Sequence, residues 1–195
     1  MKRLLSIMLV LALVASAALP LLAESAKKDS KQATMPMPEM GAPKQTKEMI
    51  AGLVGDWKVH YKSKMDPTAK DWTESDGESS YEVALDSCAL LLHSTGTFMG
   101  MTMKGLGVLT FNRETGRYQQ YWVDNFAGQA SFYEGDKDKT TGDYLYTGTD
   151  MMMGKKFFTK MTVHISDPKT MLITFDQSAD GKTYARTMEL SCTKK

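Results

Sequence analysis

From Trp57 to the C-terminus, bulky apolar residues recur at every second position, and short clusters of Gly, Asp, Asn and Pro interrupt the runs. A period of two belongs to extended chain, because successive side chains of a strand point to opposite faces. "WKVHYKS" sets Trp57, Val59 and Tyr61 against Lys58, His60 and Lys62, and "SYEVAL" aligns Tyr81, Val83 and Leu85. "RYQQYWVD" puts Tyr118, Gln120, Trp122 and Asp124 on one side, and "FFTKMTVHI" does the same for Phe157, Thr159, Met161, Val163 and Ile165. "MLITF" and "YARTMELSC" alternate likewise. Between the runs stand "SDGE", "NRETGR", "NFAGQ", "DKTTGD", "SDPKT" and "SADGK", the residue types that tight hairpins need. About ten strands of roughly six to ten residues follow, joined by hairpin-length connections. Strands that neighbour in sequence make a meander, and closing it into an up-and-down antiparallel barrel removes exposed edges. A sandwich would need longer crossovers.

One helix precedes the strands. "TKEMIAGLVG" spaces Met49, Ile50, Leu53 and Val54 for one helical face, with Thr46 as N-cap and Gly55 as the C-terminal stop. Such a helix can plug one end of a barrel. Gly55 would turn the chain through a left-handed conformation, and Trp57 would enter the barrel beneath the helix.

The first residues belong to a different class. Lys2 and Arg3 precede the uncharged "LLSIMLVLALVASAALPLLA", and Leu21-Leu22-Ala23 precedes the polar "ESAKKDSK". That is the plan of a cleaved export signal, residues 1–23, with Ala17, Ala18 and Ala26 as alternative cut sites. The run is also long enough for a membrane anchor, but Pro20 and the terminal alanines favour cleavage. No cysteine follows it, which argues against a lipid anchor. The expected destination is the bacterial periplasm or medium. Residues 24–45, without aromatics and rich in Lys, Ser, Ala and Pro, read as a flexible linker. Residues 46–195 remain as one domain with a sizeable core. Losing Lys2 and Arg3 leaves 22 basic against 23 acidic residues and takes the charge from +1 to −1. A near-neutral chain gives no electrostatic case for nucleic acid or an anionic membrane.

Cys88 and Cys192 are the two cysteines. In an oxidising compartment such a pair is expected to form a disulfide, closing a loop of about 100 residues worth about 4 to 5 kcal/mol of chain entropy. Two separate buried thiols are the alternative.

"LVGDW" (53–57), "KMDP" (64–67), "FMGMTMKGLGVLTFNRETGRYQQYWVDN" (98–125) and "YTGT" (146–149) together resemble a bacterial exported family known only as a domain of unknown function. The short helix, Gly-x-Trp and strand meander resemble the wider lipocalin and fatty-acid-binding barrels, the calycins. The resemblance implies a lipocalin-like barrel and no particular activity. The chain departs from the pattern in lacking an extra glycine before "CALLLHS" and in carrying its cysteine pair.

Chemistry-bearing constellations are few. His60, His93 and His164 lack metal-ligand spacing, with His60 and His164 on lysine-bearing faces and His93 expected inside. No nucleophile elbow or phosphate-cradling loop occurs, so no residue argues for an enzyme, a cofactor or a metal centre. Met99, Met101 and Met103 could offer thioethers to periplasmic Cu(I), but they also fit one packed strand face. The leading expectation is a carrier for a small, partly apolar molecule. Its lining would be Trp57, Tyr61, Tyr81, Met101, Tyr118, Trp122, Phe157 and Tyr184, with Asp124 and Arg186 as a polar pair. The bland alternatives are Asp124 capping the "NFAG" turn and a barrel filled by its own side chains.

Overall fold

A computed structural model describes residues 40–195 other than Met65, Met99 and Met153. The export signal, most of the linker and one methionine of the proposed copper trio therefore lie outside the described residues. Helix α1 (Lys44–Leu53) is followed by ten strands, β1 (Gly55–Ser63), β2 (Thr73–Ala84), β3 (Ala89–Phe98), β4 (Met101–Asn112), β5 (Arg117–Asp124), β6 (Ala130–Lys137), β7 (Tyr144–Met152), β8 (Lys155–Asp167), β9 (Thr170–Ser178) and β10 (Ala185–Lys194). Each strand pairs antiparallel with its sequence neighbours, and β10 pairs with β1 to close the barrel. The expected meander and its closure are both present.

The helix starts earlier than its N-cap signal suggested. Pro43 stands at the cap, and Thr46 lies within the helix, fully buried, its hydroxyl without a partner among the described residues. Proline suits a helix entrance because its missing N–H would have been unpaired there anyway. Thr46, Met49 and Leu53 turn inward and close one end of the barrel. Val54 donates its N–H to the Ile50 carbonyl, Gly55 reverses the chain at φ +119, and Trp57 follows with no exposed surface. Its indole Nε1–H donates to the Leu53 carbonyl at 2.8 Å. The tryptophan thus fills the barrel floor and also satisfies one of the carbonyls that a helix end leaves unpaired.

Because β1 leaves from the helix, the even-numbered strands end at the helix end and the odd-numbered ones end at the opposite mouth. The helix half holds a continuous core that includes Leu90, Tyr118, Tyr144, Tyr146, Met161 and Met171. The turns at both ends use a common device. Asn112, Asp124, Asp138 and Asp180 each accept backbone N–H bonds from residues two and three further on. A glycine at positive φ completes each turn: Gly116, Gly128, Gly142 and Gly181.

Four expectations need correction. "SDGE" is no turn but the middle of β2, and the β2–β3 turn is built from Leu85, Asp86 and Ser87, all at positive φ without a glycine. Val83 and Leu85 are consequently exposed, although Tyr81 on the same period is buried. His93 is exposed on the outer face of β3. The disulfide is absent: Cys88 and Cys192 are both free. Cys88 sits between β2 and β3 whereas Cys192 lies on β10, so β1 and β2 separate them. Two strand spacings of about 4.8 Å exceed the roughly 7 Å between Cα atoms that a bridge tolerates. Protein unfolded without reductant should therefore titrate two thiols per chain with Ellman's reagent. In the folded state Cys192 should react slowly, since burial pushes its thiol up to about 12. A count of zero would restore the bond.

Candidate functional site

The mouth half of the barrel differs from the helix half in what its walls present. Three large aromatic side chains there lie against glycines of neighbouring strands. The Tyr61 ring covers Gly77 and Gly96, where an added Cβ would come within 2.8 Å and 3.0 Å of it. The Trp122 indole covers Gly105, with a hypothetical Cβ 2.1 Å from the ring, and the Tyr133 ring covers Gly148 at 2.5 Å. A ring this close to a glycine occupies the space that a side chain there would take. The missing side chain is what makes room for it.

Polar groups stand between these rings. The Tyr61 and Ser94 hydroxyls are 2.9 Å apart, and Ser79 donates to Ser94 at 3.0 Å. Trp122 donates its indole N–H to Asp124 Oδ2 at 2.9 Å, while Asp124 Oδ1 accepts the N–H groups of Phe126 and Ala127. The densest cluster surrounds Asp150 on β7. Tyr133 Oη donates to Asp150 Oδ1 at 2.5 Å and Thr159 Oγ1 to Oδ2 at 2.5 Å. Gln177 Nε2 lies 3.5 Å from Oδ2 and 3.4 Å from Thr159 Oγ1. Tyr133, Thr159 and Gln177 are all buried. Burial, the negative charge of Asp150 and that of Asp124 hold the Tyr133 hydroxyl well above its ordinary range, so it stays a donor. Phe157, buried, pairs in register with Asp150 and shares its face.

Of the residues expected to line a ligand, Tyr61, Trp122, Asp124 and Phe157 are in this half, with Tyr61 a buried member of the core cluster and Trp122 packed against it. Trp57, Tyr81 and Tyr118 are buried in the helix half as part of the core. Burial raises the Tyr81 and Tyr118 hydroxyls, which marks them as packed phenols. Met101 is half-exposed at the rim of the mouth, at the start of β4, and two residues lie elsewhere. Tyr184 lies on the outer surface with Lys160 Nζ 4.0 Å above its ring. Arg186 does not meet Asp124; its Nε donates to Asp176 Oδ1 at 2.7 Å and its Nη1 to Glu189 at 3.0 Å. A register shift between Arg186 and Met188 changes the parity of the strand there. Met188 faces inward opposite Ser63 and Phe175, so the bulge turns Arg186 outward. Asp124 takes the turn-capping role instead. Met103 packs against the core and Met101 does not join it.

Sequence reasoning missed Asp150, Tyr133, Thr159 and Gln177 as a group. A signal was present in "YLYTGTD", where Tyr144, Tyr146, Gly148 and Asp150 share the period of two, placing a carboxylate on an otherwise apolar face. Two open depressions also mark the outside. One of about 530 Å³ has Thr147 and Thr149 between Phe132, Phe158 and Tyr184. The other, about 620 Å³, lies beside α1 near Phe111, Tyr118 and Lys137.

The family model described as "Protein of unknown function (DUF1579)" matches residues 42–194. The chain belongs to this family. The DUF1579 match spans α1 and the whole barrel, including every residue of the Asp150 cluster. Solved structures share the architecture. An S-type phycobiliprotein lyase, CPES from Guillardia theta, aligns with a TM-score of 0.51 at 10% identity, covering 76% of this chain and 92% of that one. Rv2717c from M. tuberculosis aligns with a TM-score of 0.58 at 14% identity, covering 80% and 99%. At such identities the likeness is one of fold. No curated protein matches the sequence.

Proposed function

We propose that this DUF1579 protein is an exported, non-catalytic carrier that takes a small, partly apolar molecule into the mouth half of its barrel. The observation behind the reading is the set of rings packed against wall glycines, Tyr61, Trp122 and Tyr133, with hydroxyls and carboxylates set between them. Apolar walls with a few placed polar groups are the usual make-up of a small-molecule site. The helix half is filled by its own side chains, and there the barrel acts as structural support. That a phycobiliprotein lyase uses a barrel of this build is an analogy of fold alone. The support for export is the basic, apolar and small-residue plan of residues 1–23.

Native mass spectrometry of the protein purified from its own host tests both parts together. The expected result is a chain beginning at Glu24 that carries an additional bound small molecule. A chain that keeps Met1 would remove the export reading, and a chain that is always empty would remove the carrier reading.

A further inference from the structure

Several cations near the mouth are committed to other partners. Lys64 lies over the Trp72 ring at 4.6 Å, Lys156 over Phe158 at 5.1 Å and Lys160 over Tyr184 at 4.0 Å. Arg186 is held by Asp176 and Glu189, and the charge of Lys155 acts on Asp66. Lys137 and Lys194 belong to the helix end, over Tyr144 and Trp57. The interior carboxylates have no such company. Among the described residues, no lysine, arginine or histidine forms an ion pair with Asp150 or Asp124. Asp150 is satisfied by a phenol, a threonine hydroxyl and a carboxamide, all of them neutral donors. Neutral donors fill lone pairs but leave the charge of this half-buried group without a partner of opposite sign. Both oxygens are held in place from three different strands, so the carboxylate is fixed before anything binds. Asp150 stands two residues before the end of β7, which puts it roughly 7 Å below the rim at about 3.3 Å per residue.

We propose that the mouth half selects molecules bearing a protonated amine or amidine, with Asp150 as the counter-ion, Asp124 reinforcing it nearer the rim, and Phe157 and Trp122 receiving the apolar part. The inference rests on the carrier reading and narrows it, because an anionic head group such as a fatty-acid carboxylate would meet two like charges. A cationic group would complete the cluster by taking the acceptor capacity that Asp150 retains.

Three fluorescent probes with one dansyl group and one undecyl chain test it, ending respectively in a primary amine, its N-acetyl derivative and a carboxylic acid. Titration of the mature wild-type chain near neutral pH should place the amine about ten-fold tighter than the neutral probe, with the acid weakest. Asp150→Asn, which keeps the side chain's shape, should lower the amine's affinity about ten-fold and leave the neutral probe unchanged. The three-probe ranking on wild type stands even if the variant folds poorly. Equal binding of all three, or preference for the acid, overturns the charge assignment and leaves the carrier reading in place. Failure of every probe to bind removes both.

Discussion

Replacing Trp57 by alanine is expected to lower the unfolding free energy by about 3–5 kcal/mol, the range for emptying a buried tryptophan position. Against a total of about 5–15 kcal/mol for an ordinary domain, that is a third or more of the stability. Two losses combine. The side chain has no exposed surface and anchors the floor on which Met49 and Leu53 rest. Its indole N–H also ends α1 by donating to Leu53. Trp57→Phe separates the two, since it retains most of the ring but leaves that carbonyl without its buried donor, at a cost of about 1–3 kcal/mol. Urea unfolding followed by circular dichroism reads both variants as midpoint shifts at unchanged slope. Equal midpoints for wild type and Trp57→Phe would mean that the hydrogen bond contributes nothing and the tryptophan is there for volume alone.

The same residue shows why the fold was legible. Gly55 and Trp57 express local requirements, a positive φ and a large side chain under a helix end, and local requirements leave direct traces in sequence. The period-two runs are equally local, and they gave the strand count and the meander. Glycine was the ambiguous sign. In "NRETGR" and "DKTTGD" it occupies a positive-φ turn position beside an Asn or Asp that caps the turn. In "SDGE" it is Gly77 within β2, there because the Tyr61 ring and the β3 backbone come too close for a Cβ. A single sequence does not tell turn from close approach, since the second depends on a partner 16 residues away. The true β2–β3 turn gives the reverse case, for Leu85, Asp86 and Ser87 take left-handed angles with no glycine to announce them.

The site was less legible, for a reason of register. Tyr61, Trp122, Asp124 and Phe157 were found because alternation holds along their strands. Arg186 was misplaced because one bulge residue reverses every side chain beyond it, and a bulge leaves no mark in the alternation of one strand. Asp150 was passed over beside the three methionines that follow it. Its partners come from β6, β8 and β9, and only the closed sheet brings them together.

Gly135→Ala should cost about 3 kcal/mol, at or above the upper end of ordinary overpacking. An added Cβ would lie 1.9 Å from the Leu145 carbonyl oxygen and 2.7 Å from Tyr146 Cα. These are backbone atoms of β7, the strand to which β6 is hydrogen-bonded, so no side-chain rotation relieves the clash and the two strands must part. Gly107→Ala is the matched control. Gly107 is also an inward-facing strand glycine, yet its nearest neighbours to a new Cβ are the Leu92 side chain and the Tyr121 carbonyl oxygen, both at 3.3 Å. There a small shift suffices, and the reduced freedom of the unfolded chain offsets part of it by about 0.4–1 kcal/mol. Thermal or urea unfolding should therefore separate the two alanine variants by about 2 kcal/mol or more, Gly135→Ala being the weaker. Equal destabilisation would show that both glycines act through strand propensity, and that β6 and β7 are free to move apart at Gly135 without penalty.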